Sequence, residues 1–162
     1  MDTPILILGL GNPLRGDDGV GPQIVDLLNR QALPPGVTAL DGGAGGIGLL
    51  HTLEGWERVV VVDAADVGRA PGEVVRFTPE RVRLAEQAEG VSIHAAGLAD
   101  ALAMARALDR PLPPMVIFGV QPERIGWGEG LSPAVAAALP DLIQAILREV
   151  GGDNAQDSDN RR

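Results

Sequence analysis

Four short apolar runs constrain this chain more than any other feature. Residues 5–10 (ILILGL), 37–40 (VTAL), 59–62 (VVVV) and 115–120 (MVIFGV) are continuous rather than alternating. A strand with one face in water alternates apolar and polar residues; an uninterrupted run is that of a strand covered on both faces. Amphipathic stretches at 19–30, 46–52, 96–108 and 133–150 separate or follow these runs. Residues 73–77 (EVVRF) do alternate and read as an edge strand, antiparallel to its neighbour. Strand and helix in this order give an α/β/α sandwich around a mixed, mostly parallel sheet of about five strands. The last helix opens with Ser132 as N-cap and Pro133 at the first helical position.

A chain of 162 residues is large enough for one core, and residues 1–150 are expected to form a single domain. Residues 151–162 (GGDNAQDSDNRR) offer no apolar anchor and read as a disordered polar tail. With only two Trp, two Phe and no Tyr, the core must be built from Val, Ile, Leu and Ala. The absence of Cys excludes disulfides, thiolate ligands and a Cys nucleophile, and fits a reducing compartment. A net charge of −9 disfavours nucleic acid and anionic membranes as partners. The N-terminal apolar run is too short for a signal sequence or a membrane span, so a cytoplasmic location is expected.

Parallel sheets build their sites at the carboxyl ends of the strands. Asn12, Asp17 and Asp18 follow the first run, Asp41-Gly42-Gly43 the second and Asp63 the third, while His94 precedes a helix. Each has an ordinary explanation. An Asp of the 17–18 pair suits a helix cap, Asp63 or Asp41 suits a turn, and a single His is often structural. His51 reads as a surface or packing residue. Their joint placement on one rim is what favours function.

Serine catalysis lacks a nucleophile elbow, because Ser92, Ser132 and Ser158 are the only serines and none sits in G-x-S-x-G. A phosphate loop is disfavoured too. Gly9, Gly11 and Gly16 are wrongly spaced, and two aspartates at a helix start repel an anion. Two carboxylates and an imidazole remain, a donor set suited to a divalent first-row metal.

GLGNPLRGDDGVG, DGGAGG, VVVVDAAD, SIHAAGLADAL and FGVQPERIGWGEGLSP, in that order, resemble the hydrogenase maturation endopeptidases. These remove a C-terminal extension from the large subunit of [NiFe]-hydrogenase once nickel is in place. The resemblance implies metal contact, and hence catalysis, by Asp18, Asp63 and His94. It implies precursor recognition by Asp41, Gly42 and Gly43, with Gly11, Asn12 and Asp17 shaping or supporting the loop. Asp17 is expected to cap or support the following helix. Ala44 stands where many members have Thr, so the backbone turn carries over and a hydroxyl does not. The implied metal is nickel supplied by the precursor, the implied partner is that precursor, and a monomer is expected. Two other readings are a nickel-sensing module that cleaves nothing, and a peptidyl-tRNA hydrolase-like enzyme, which shares GLGNP. The second fits poorly with a chain that has no tyrosine and a charge of −9.

Overall fold

The structure, a computed structural model, describes residues 3–46, 48–81 and 96–151. Five strands form one sheet: β1 (Ile5–Gly9), β2 (Val37–Asp41), β3 (Arg58–Ala64), β4 (Val74–Phe77) and β5 (Met115–Val120). Their spatial order is β2-β1-β3-β5-β4. All neighbours pair parallel except β4, which runs antiparallel to β5 at the edge. The alternating 73–77 segment is thus an edge strand, and the expected mixed sheet of five strands is the one found.

Among the described residues, four helices cover the sheet: α1 (Val20–Asn29), α2 (Gly48–Leu53), α3 (Ala96–Ala107) and α4 (Pro133–Val150). Strand periodicity divides the core in two. Leu6, Leu8, Val59, Val61 and Ile117 pack with residues of α2 and α3 on one face. Ile5, Ile7, Val60, Val62 and Val120 pack with α1 and α4 on the other. Both faces are therefore dry over β1, β3 and β5, as their unbroken apolar runs require. β2 departs from that expectation: it is the other edge strand, and of its residues only Ala39 is buried. One glycine sets the distance between α1 and the sheet. A Cβ on Gly21 would strike the Leu10 backbone and approach the Val62 carbonyl to 2.7 Å, so the helix comes closer than any larger residue permits.

Strand register decides which side chains meet at the ends of the sheet. Gly9 lies opposite Asp41 on one side and Val62 on the other, and Asp63 lies opposite Gly119. The carboxyl ends of β1, β2, β3 and β5 share one rim. Asp63 belongs to β3 itself rather than to the loop after it, and by alternation it follows Val59 and Val61 toward the α2/α3 face. Among the described residues, no helix is long and apolar enough to cross a membrane. The 152–162 portion of the expected tail lies outside the described residues.

Candidate active site

Three backbone loops meet at this rim. After β1 the Leu10 N–H donates to the Val62 carbonyl (2.9 Å), Gly42 N–H to Gly9 (2.8 Å) and Gly11 N–H to Gly43 (2.8 Å). These bonds bring Asp41, Gly42 and Gly43 against the Gly11-Asn12 turn. The Asp41 carboxylate accepts from the Gly43 N–H at 2.8 Å, which locks its own turn. Gly11 has φ +126°, and a Cβ there would collide with the Asp18 carbonyl oxygen. Only glycine lets the strand exit pass so close to the acid pair.

Asp18 is half-buried, and its Oδ2 accepts from the Asn12 N–H at 2.9 Å. Asn12 in turn accepts from Leu14 N–H through Oδ1, also at 2.9 Å, so the two side chains hold the loop's shape and Asp18's aim. Asp63 is only 5% exposed. Burial, and then the negative charge of Asp18 beside it, push its carboxyl well above the usual value of 3.8; a bond from the Ala64 N–H opposes this weakly. Among the described residues neither Asp18 nor Asp63 is paired with a cationic side chain. With no counter-charge among the described residues, the two repelling carboxylates make a site that favours a proton or a cation.

Asp17, 1% exposed, does something different. Its Oδ2 accepts from the backbone N–H groups of Glu123 (2.9 Å) and Arg124 (3.1 Å) and from the Ser132 hydroxyl (2.8 Å), while Oδ1 accepts from Ser132 N–H (2.7 Å). Burial alone would raise this carboxyl. The bonds from Ser132, Arg124 and Glu123 outweigh it and bring the carboxyl below 3.8. Of the expectation that Asp17 caps or supports the next helix, the cap is not seen: neither the 3-10 turn Gly16–Gly19 nor α1 has a side-chain cap. Asp17 instead bolts the segment between β5 and α4 to the acidic loop. Backbone bonds from Gly16 N–H to Gly128 (2.8 Å), Gly128 N–H to Leu14 (2.9 Å) and Asp17 N–H to Arg124 (3.0 Å) complete the seam.

Sequence reasoning missed that seam, and it missed Gln121. The Gln121 Oε1 accepts from Val67 (2.8 Å) and Arg69 (3.2 Å), while Nε2 donates to Asp66 (3.3 Å), fixing the loop after β3. A polar residue directly after a buried strand, at the carboxyl rim, was the available signal. His51 lies exposed on α2, away from the rim. His94 lies outside the described residues. Among the described residues no three His, Asp or Glu side chains converge on one point.

The chain matches the family model described as hydrogenase maturation protease over residues 22–149. It is 36% identical to the hydrogenase expression/formation protein HupD of Bradyrhizobium diazoefficiens, over 93% of this chain and 81% of that one. The hydrogenase 2 maturation protease of Escherichia coli is 35% identical, with 91% and 92% covered. In three dimensions it superposes on the hydrogenase maturating endopeptidase HybD from E. coli with a TM-score of 0.80 at 30% identity, covering 94% of each chain. A [NiFe] hydrogenase maturation protease HybD from Thermococcus kodakarensis gives 0.74, again at 30% identity, with 91% of this chain and 99% of that one covered.

Proposed function

The chain belongs to the hydrogenase maturation protease family, and from that premise we propose how its own residues do the work. It is an endopeptidase that processes the hydrogenase large-subunit precursor. The finer reading is that it removes a C-terminal extension once nickel is loaded, and that Asp18, Asp63 and His94 engage that nickel. The observation that carries this is an acid pair with no cationic partner among the described residues: a buried Asp63 facing the charge of Asp18 at the strand ends. A divalent cation brought by the substrate relieves both the desolvation and the repulsion. An empty precursor offers no such relief, so the acid pair discriminates loaded from unloaded substrate.

Nickel supplies the positive charge that polarises a nearby carbonyl or bound water. The chain supplies position. Asn12 orients Asp18 and β3 fixes Asp63, while the Asp41–Gly43 turn, hydrogen-bonded to the β1 exit, is on this reading the contact for the precursor chain. The resemblance makes His94 the third contact. Either carboxylate, once free of the cation, can accept a proton from the attacking water. The reading places the reaction in the cytoplasm, with a monomeric protease and neither nucleic acid nor membrane taking part; the net charge of −9 supports the last two.

The test is incubation of purified large-subunit precursor with the protein, with and without nickel, followed by intact mass. Loss of a C-terminal peptide only from the nickel-loaded form is expected, and Asp63→Asn should abolish it. Equal cleavage without nickel refutes the sensing role. Full cleavage by Asp63→Asn refutes the assignment of Asp63. A stable complex with no mass loss would mean a binding module.

A further inference from the structure

One apolar surface lies on the same loops as the acids and takes no part in engaging the metal. Trp127 is 84% exposed, Leu14 49% and Ile125 37%. Gly128, next to Trp127, donates its N–H to the Leu14 carbonyl, and the Arg15 guanidinium stands 5.9 Å from the centre of the Trp127 ring. The three apolar side chains therefore sit on two strips of backbone stitched together. The chain has few aromatic residues and hides the others. Phe77 and Phe118 are buried, and Trp56 is partly buried with its indole N–H donated to Thr52. An indole in water here is an exception to how this sequence uses aromatics.

The indole also stands on a rigid base. Asp17 ties Glu123, Arg124 and Ser132 down from inside, and Arg15 lies over the ring. Little conformational freedom is left to lose when something covers it.

We propose that Leu14, Ile125 and Trp127 dock an apolar segment of the hydrogenase large-subunit precursor beside the bond to be cut. This rests on the processing function proposed for the chain and deepens it. Continuity is the first argument: Leu14 and Arg15 share one short loop with Asp18, so the apolar patch borders the acidic loop. Charge is the second. On the two strips that carry these side chains, Arg15 and Arg124 are matched in number by Glu123 and Glu129, which leaves apolar contact to select the partner. A second copy of this chain is the less suitable occupant, because each copy carries a net charge of −9.

The test is steady-state processing of nickel-loaded precursor by Trp127→Ala and by Leu14→Ser. The expected result is a KM raised by roughly tenfold or more, as for loss of an aromatic hot spot, with kcat kept within about twofold. Trp127→Phe should recover most of the loss. Both variants change exposed side chains, and an unchanged circular dichroism melt checks that they fold. An unchanged KM overturns the docking surface. So does a variant that alters only the sedimentation of the protein by itself, since that marks a contact between copies. Asp63→Asn separates the two ideas: if it cleaves fully, the metal-engaging reading fails whatever Trp127 does. If it is inactive while Trp127→Ala is unaffected, only the docking surface fails.

Discussion

Two buried aspartates at this rim, Asp17 and Asp63, have opposite electrostatic fates, and the difference lies in what faces them. Asp17 holds its charge because four hydrogen-bond donors face it. Asp63 is also buried but faces a like charge, so its carboxyl is pushed up. A folded-state value raised above the unfolded one means that the cation-free fold binds this proton more tightly than the unfolded chain does. The stabilising contribution is complete below the unfolded value of 3.8 and is lost as pH rises through the higher folded value. Asp63→Asn should therefore melt higher than the parent at neutral pH and show no gain near pH 3. Thermal melts of cation-free protein across that range check it. An equal or lower neutral melt would mean that Asp63 is not strained by its surroundings. The identity of Asp63 was legible in the sequence as an acid ending a VVVV run. Its strain was not, since that depends on Asp18 lying across the β1–β3 junction.

Between the elements, Ser132 links two tasks. Its hydroxyl caps α4 by accepting from Val135 N–H (3.4 Å) and donates to Asp17 (2.8 Å). Ser132→Ala removes both at once. Loss of an N-cap alone is worth about 1 kcal/mol, and a buried carboxylate deprived of one of its donors adds about 1–3 kcal/mol. A drop of about 2–4 kcal/mol in denaturant titration is expected, whereas a change under about 0.5 kcal/mol, the size of an ordinary surface substitution, would deny the bolt. The cap itself was readable from Ser132-Pro133, a local pattern. The strands were readable for the same reason, since continuous apolar runs and turn residues are local. The seam was not, because Asp17 and its partners are separated by 106 to 115 positions. No periodicity or propensity reaches across such a gap; only the strand order that brings the ends of β1 and β5 to one rim does so.

Over the whole molecule, the far end of α4 is anchored as firmly as its start. Glu149 accepts from Arg58 (3.2 Å) and from Arg76 through two bonds (2.9 and 3.0 Å), joining the helix to β3 and to the edge strand β4. The Glu149 side chain is 18% exposed and Arg76 is half in water, so the pairing is weaker than its geometry suggests. Glu149→Ala should lower stability by about 1–2 kcal/mol while leaving the processing rate intact, because the opposite rim carries the acids. Denaturant titration alongside a cleavage assay checks both halves; impaired cleavage at full stability would mean that α4 communicates with the rim. The three-layer architecture and the placement of the acids at strand ends were both legible in the chain.

The sheet order has a further meaning. Asp18 and Asp63 stand on segments that become neighbours only when β1 and β3 pair, so their juxtaposition is a property of the folded state alone. Anything that bridges them is bound by the native protein and ignored by the unfolded chain. By mass action, such a ligand adds its binding free energy to the folding equilibrium, with about 2.7 kcal/mol gained at a concentration one hundred times its dissociation constant. On the proposed reading the nickel-loaded substrate is such a ligand, so recognition of its metal and resistance to unfolding are one equilibrium at this rim.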